Sequence, residues 1–191
     1  MTALSRVDNT GGARIMNDVV PLRRTRSDAL EEFRALFDAS YAGVVRTVWF
    51  VVHDHAVAEE VTQDAFVELY RRWARIRDYE QPGLWVRRVA LHKAQREAAR
   101  AARRPHLERT AATPLPVDDG PALPDEELLA ALRTLPPRQR AVVVLFYLED
   151  RPMEEVADLV GCSVATGWVH LHRARRRLAE LLGEEVTDDV D

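Results

Sequence analysis

The chain has 191 residues, of which 47% are hydrophobic and 30% charged, and its formal net charge is −4. These proportions argue against general disorder, and the longest apolar run, Ala141 to Leu148, is far shorter than the roughly 18–20 residues that span a bilayer, so we predict no membrane insertion. No apolar stretch follows the first basic residues and Cys162 is the only cysteine, so we expect a cytoplasmic protein without a secretory signal or an internal disulfide.

The first part of the chain is predicted to consist of a flexible N-terminal arm, residues 1–26, and a helical domain, residues 27–104. Apolar residues recur at helical spacing along this domain, and its one proline, Pro82, fits the first turn of a helix. The predicted helices begin near Leu30, run from Asp54 to about Arg75, and run from Pro82 to about Arg104.

Charge is distributed unevenly along this domain. Residues 28–68 hold 9 acidic and 2 basic residues, a net charge of −7, whereas residues 71–104 hold 11 basic and 3 acidic residues, a net charge of +8. A negative overall charge therefore does not exclude nucleic acid as a partner, because one half of the domain is strongly basic.

Residues 105–124 contain five prolines and are predicted to form a flexible linker. A second helical domain follows at residues 125–182, and an acidic tail at residues 183–191 holds five carboxylates. We therefore predict an all-α protein of two small helical domains joined by a flexible linker. The four helices predicted after the linker are Asp125 to Arg133, Pro137 to Leu148, Pro152 to Leu159 and Ser163 to Leu182.

The second helix has two contrasting faces at 100° per residue. One face carries residues predicted to form the core: Ala58, Val61, Ala65, Phe66, Leu69 and Trp73. The opposite face carries a ridge of polar side chains around one apolar residue: Glu60, Gln63, Asp64 and Val67. We call these four residues the α2 ridge. Such a surface suits a basic partner, although a solvated helix face has the same pattern.

The third helix carries basic side chains along one stripe: Arg88, His92, Arg96, Arg100 and Arg103, with Lys93 beside them. We call them the α4 stripe. It can follow a phosphate backbone, although arginine-rich helix ends are often only solvated. After the linker, the segments on either side of Gly161 form a predicted helix-turn-helix, whose second helix, capped by Ser163, would lie in the major groove.

Three segments together resemble the extracytoplasmic-function (ECF) group of bacterial RNA polymerase sigma factors. Residues 57–66, VAEEVTQDAF, resemble the family's most diagnostic helix; residues 85–90, WVRRVA, resemble its minus-10 helix; residues 135–175 resemble its minus-35 domain. The resemblance implies that the α2 ridge binds the clamp helices of the largest subunit of core RNA polymerase. It also implies promoter DNA and an anti-sigma factor as partners.

The same resemblance assigns DNA contacts. The minus-10 element would be held by Tyr79, Arg88, His92, Lys93, Arg96 and Arg100. The minus-35 element would be held by Ser163, Thr166, Trp168, His170, Arg173 and Arg176. The loop of residues 77–83 would accept a base flipped out of the non-template strand, with Tyr79 as a candidate stacking residue; Trp85 is predicted to serve in the core instead.

The chain departs from the family pattern at residues 92 and 167–170. His92 stands where the family has asparagine, and Gly167, Trp168, Val169 and His170 replace a core valine followed by lysine, serine and arginine. Two interpretations of Trp168 remain open. The indole either tilts inward to fill the space above Gly167, or it contacts thymine methyl groups or another protein.

Other classes of function were weighed against this one. We predict no enzyme, no cofactor and no metal site, because the histidine pairs His53/His55 and His170/His172 are two residues apart and diverge on a helix, and no nucleotide-binding or nucleophile motif is present. A DNA-binding regulator that does not bind core polymerase would not need the α2 ridge. A protein-interaction module with degenerate DNA reading is the third possibility.

Overall fold

The computed structural model describes residues 26–103 and 125–183, and all regular secondary structure in these ranges is helical. The predicted N-terminal arm, linker and acidic tail lie almost wholly outside the described residues. The helices are α1 (Arg26–Val52), α2 (His55–Arg71), α3 (Trp73–Ile76), α4 (Pro82–Arg103), α5 (Glu126–Thr134), α6 (Pro137–Val143), a π-helical turn (Val144–Leu148), α7 (Met153–Val160) and α8 (Val164–Leu182). The all-α prediction is confirmed.

Asp54 and Ser163, which the sequence predicts to begin helices, do so. The Asp54 carboxylate accepts a hydrogen bond from the Val57 amide at 3.0 Å, and the Ser163 hydroxyl accepts one from the Thr166 amide at 3.1 Å. Each satisfies an amide of the first turn that has no partner within its own helix. Pro82 is the first residue of α4, where its missing N–H costs nothing.

The second helix is shorter than predicted. It ends at Arg71, because Arg72 leaves helical geometry (φ −109°, ψ 8°), and the four-residue helix α3 follows. This break directs the Trp73 indole toward α1, where its N–H donates to the Ala29 carbonyl at 2.6 Å. The helix predicted over 137–148 is α-helical only as far as Val143, because its last turn, Val144–Leu148, is π-helical.

The core of the N-terminal domain lies between α1, α2 and α4. The residues predicted for the inner face of α2 are buried, and so are Ala90, Ala94 and Ala98 of α4, whereas Ala101 is exposed. Small side chains at these spacings let α4 approach its neighbours closely.

Helix α1 is long and apolar enough by composition to cross a membrane, with a mean hydropathy of 1.3 over 18 residues, of which 39% are buried. In the fold its apolar residues have another use. Val44, Val48 and Val51 are buried, and α1 packs on both α2 and α4, so its composition is accounted for by the core.

The C-terminal domain is organised around the buried guanidinium of Arg140. Its Nε donates to the Leu132 carbonyl and its Nη2 to the Arg133 and Leu135 carbonyls, each at 2.9 Å, and its Nη1 donates to the Val51 carbonyl at the end of α1. The carbonyls lie at or just after the ends of α1 and α5, where partners within a helix run out; the Leu132 carbonyl also accepts the Leu135 amide at 3.1 Å. Burial, and then the nearby Arg133, lower the pKa of Arg140 to about 10, which leaves the side chain charged at neutral pH.

The two domains pack against each other, α1 on α6 and α4 on α6 and α7. The Glu149 carboxylate, which follows the π-helical turn, lies at the centre of this contact. It accepts hydrogen bonds from Arg87 of α4 at 2.9 Å, from the Thr47 hydroxyl of α1, and from Arg151 at 2.7 Å. Buried residues of both domains therefore form one continuous apolar cluster.

The helix-turn-helix shows how the chain accommodates its glycine. Gly167 is buried, and a Cβ at this position would lie 2.7 Å from the Met153 sulfur of α7. The methionine thus occupies the volume that a larger side chain at 167 would need. Trp168 is 50% exposed, so the interpretation that its indole fills the space above Gly167 is wrong.

Replacing Gly167 by valine will therefore overpack this contact. We expect Gly167→Val to lower the free energy of unfolding by about 1–3 kcal/mol, whereas Ala165→Val, on the exposed side of the same helix, has little effect. Chemical denaturation followed by circular dichroism measures both.

Met153→Ala supplies the matching test, because it removes the side chain that the new valine would strike. In a double-mutant cycle, the loss of stability in Gly167→Val with Met153→Ala will be smaller than the sum of the two single losses. Additive losses would show that the two side chains do not compete for one space.

Candidate polymerase and nucleic-acid interfaces

The four residues of the α2 ridge are all exposed, and the opposite side of α2 is buried. Val67 is 48% exposed at the centre of the ridge. The ridge therefore presents two carboxylates and an amide around an apolar centre, as the sequence predicted for a docking surface.

One ridge residue connects this surface with the α4 stripe. The Lys93 ammonium lies 3.1 Å from the Asp64 carboxylate, and both side chains are partly exposed. An ion pair at such a site contributes less than about 1 kcal/mol, so either partner can exchange it for a contact with another molecule. The predicted polymerase surface and the predicted minus-10 surface are thus adjacent.

The predicted minus-10 residues are in different environments. Arg96 and Arg100 are exposed, and Arg100 pairs with Glu97 one turn away at 2.5 Å. Arg88, by contrast, reaches across to the C-terminal domain, where it forms an ion pair with the Asp158 carboxylate and donates to the Asp158 carbonyl at 2.9 Å. The far end of the stripe is open to solvent, and the near end is in contact with α7.

His92 also contacts the C-terminal domain. Gly161, the left-handed residue (φ +77°) that ends α7, lies so close that a Cβ there would be 2.7 Å from His92 Nε2. Burial lowers the pKa of His92, as do the charges of Arg88 and Arg96, while a hydrogen bond with the Val160 backbone opposes the shift. The imidazole is therefore neutral at pH 7 and packs against the turn of the helix-turn-helix.

A cavity of about 490 Å³ opens beside the loop predicted to accept a flipped base. Tyr79 and Trp85 supply aromatic faces, and Arg72 lies over the Trp85 ring at 5.8 Å. Tyr79, the predicted stacking residue, lines the cavity, and Trp85, predicted to serve in the core, both lines the cavity and packs on the core. Sequence reasoning also missed the arginines of the cavity wall: Arg71, Arg72 and Arg75. Their close spacing before the loop was the available signal.

The predicted minus-35 residues lie on the first four turns of α8 or at its cap. Ser163, Thr166, Trp168, Arg173 and Arg176 are exposed. His170 is different, because both ring nitrogens are buried without a hydrogen-bond partner among the described residues, and burial followed by the charges of Arg138 and Arg173 lowers its pKa. His170 thus presents no hydrogen-bonding atom to solvent in this arrangement.

Two family models match the chain, one in each half. Residues 36–104 match the family model described as Sigma-70 region 2, and residues 125–178 match the model described as Sigma-70, region 4. The first match contains α2 and α4, and the second contains α7 and all but the last four residues of α8.

Similar full-length proteins are sigma factors. The chain is 32% identical to the RNA polymerase sigma-E factor of Streptomyces coelicolor, over 88% of this chain and 86% of that protein. It is 33% identical to the RNA polymerase sigma factor CarQ of Myxococcus xanthus, over 85% and 96% of the two chains.

Among solved structures, the sigma factor RpoE of Bartonella quintana, crystallised with the anti-sigma factor NepR, has a similar fold. The TM-score is 0.65 at 18% identity, over 82% of this chain and 99% of that one. With both sigma regions in order and full-length relatives above 30% identity, the chain belongs to the ECF group of sigma factors, which bind core RNA polymerase and direct transcription initiation.

Proposed function

We propose that the α2 ridge is the surface by which this sigma factor binds the clamp helices of the largest polymerase subunit. The observation that carries this proposal is that Glu60, Gln63, Asp64 and Val67 lie on one side of α2 and are all exposed, while the opposite side of the helix is buried in the core. Carboxylates favour a basic partner, and Val67 provides an apolar centre that becomes buried from water when the partner binds.

In this proposal the α4 stripe and the neighbouring cavity hold the melted minus-10 element. Exposed Arg96 and Arg100 offer charge to phosphates, and Tyr79 and Trp85 offer aromatic faces to an unstacked base. Extruding a base costs a few kcal/mol, which stacking in such a cavity helps to offset. The other three predicted minus-10 residues must leave their present contacts before they can bind DNA: Lys93, Arg88 and His92.

The arrangement of the two domains adds a condition to this mechanism. Arg88 and His92 contact α7 and Gly161, so they reach DNA only when the domains separate. The α2 ridge is exposed without any such change. We infer that polymerase binding precedes full engagement of the minus-10 element.

We further propose that α8 reads the minus-35 element, that the protein works in the cytoplasm, where the polymerase is, and that it has no enzymatic activity of its own. An anti-sigma factor is the expected regulatory partner. RpoE of Bartonella quintana has such a partner in its crystal structure. In the present chain, a regulator that binds both packed domains would keep them from separating.

The polymerase surface is tested by reversing its charge. Glu60→Lys with Asp64→Lys will weaken binding to core polymerase by about tenfold or more, because two carboxylates facing a basic partner become like charges. The helical circular dichroism signal should be unchanged, since both side chains are exposed.

The matched control is Glu127→Lys with Glu154→Lys, which makes the same charge change at exposed positions of the other domain. Competition against a labelled sigma factor for core polymerase compares the two variants. Equal affinities for the ridge variant and the control would contradict the proposed surface.

The DNA surface is tested on promoters found by run-off transcription of genomic fragments, including the region upstream of this protein's own gene. Arg96→Ala with Arg100→Ala will reduce promoter opening while core binding is retained. Because two phosphate contacts are lost, the slope of the logarithm of the promoter-binding constant against the logarithm of salt concentration will become shallower by about two. Arg26→Ala with Arg34→Ala, exposed on α1, is the control. Full opening by the α4 variant would remove this helix from the mechanism.

The domain contact is tested at Glu149. Glu149→Gln leaves Arg87 buried without its counter-charge, so the free protein will open and bind single-stranded promoter DNA several-fold more tightly than the wild type. Glu154→Gln, which removes the same charge at an exposed position, serves as the control. If both variants bind DNA like the wild type, domain packing does not limit access to the minus-10 surface.

A further inference from the structure

We propose that Trp168 and Val169 read thymine methyl groups in the minus-35 element, so that this sigma factor selects its upstream DNA largely through apolar contacts. The inference rests on the proposed role of α8 in DNA binding and adds the chemical group that it recognises. It concerns the positions at which this chain departs from its family.

The outward face of α8 begins with apolar residues. Gly167, Leu171 and Ala174 are buried against the rest of the domain. At 100° per residue, Ala165 and Val169 then point directly away from the domain, and Trp168 lies at the side of that face. Val169 is 47% exposed and Trp168 50%, in an arrangement in which the two domains are packed together. The face is therefore available to a partner.

The long polar side chains that form paired hydrogen bonds with bases are missing from the same two turns. Residues 164–170 contain no arginine, lysine, asparagine or glutamine. The Thr166 hydroxyl lies 2.8 Å from the Ser163 hydroxyl, and both His170 nitrogens are buried. Paired hydrogen bonds to guanine or adenine are consequently not what this surface is built to make.

The indole of Trp168 is held in an outward position. Its ring contacts Phe146 edge to face at a centroid distance of 5.5 Å, and Phe146 in turn contacts Tyr147 at 5.1 Å. The volume under Gly167 is filled by Met153, so the indole has no cavity to turn into. An aromatic side chain fixed in this way contacts an apolar group with little loss of conformational freedom.

The positive charges on the next turns of α8 indicate that DNA is the partner that binds the apolar face. Arg173, Arg175 and Arg176 are exposed directly after the apolar turns, and the N-terminal end of a recognition helix is the part that meets base edges. Arginines can then contact phosphates while the apolar turns lie in the major groove. The apolar group on a base edge in that groove is the C5 methyl of thymine.

Deoxyuridine tests this directly, because it removes the methyl and leaves every hydrogen-bonding group of the base pair in place. The probe is holoenzyme reconstituted with the full chain, on a promoter mapped by run-off transcription, with the thymines of its upstream element replaced singly and together. We expect binding to weaken about fourfold for each contacted methyl. Trp168→Lys will abolish most of this response, and Val169→Ala will reduce it.

Leu181→Lys is the matched control, since it makes the same change at an exposed apolar position near the end of α8 and should keep the full response. Normal transcription with no loss on deoxyuridine overturns this inference alone. So does a Trp168→Lys variant that keeps the full response but binds core polymerase less well, because Trp168 would then be part of a protein interface. A wild-type protein that neither binds core polymerase nor supports transcription overturns the proposed function as well.

Discussion

The carboxylate of Glu149 holds the described structure together at the point where three helices of different domains meet. Its side chain and that of Arg87 are only 20% and 14% exposed. Burial lowers the pKa of Arg87, and the charge of Glu149 opposes that shift. Removing one partner of such a pair typically costs about 3–5 kcal/mol, because the other charge is left buried without compensation. This contact therefore acts together with the shared apolar cluster, the Arg140–Val51 hydrogen bond and the Arg88–Asp158 ion pair to fix the relative placement of the two domains.

This placement divides the proposed functional surfaces into two groups. The α2 ridge and the apolar turns of α8 are exposed while the domains are packed, whereas Arg88 and His92 are occupied by the other domain. A protein in this arrangement is able to meet polymerase before its minus-10 surface is complete. In the proposed mechanism, the charge reversal along the N-terminal domain likewise separates an acidic surface for polymerase from a basic surface for DNA.

Features determined by nearby residues were predictable from the sequence. Asp54 and Ser163 start helices through contacts three residues away, and the exposed ridge follows from helical periodicity alone. Features that depend on distant partners were not. Arg87 and Glu149 are 62 residues apart, and the contact of Met153 with Gly167 joins two different helices, so neither pattern is visible in a local window. The π-helical turn before Glu149 was missed for the same reason, because its apolar residues read equally well as an ordinary helix.

The contact between the α2 ridge and polymerase is the claim on which the proposed mechanism depends, and site-specific photocrosslinking measures it most directly. Replacing Val67, the exposed centre of the ridge, by a photoreactive benzoylphenylalanine places the probe inside the proposed interface without removing a charge. With core polymerase that lacks any other sigma factor, we predict a crosslink to the clamp helices of the largest subunit. The same probe at exposed Tyr147 should leave that site unlabelled. A Val67 probe that labels no part of the clamp helices, in a complex that still forms, would contradict the account.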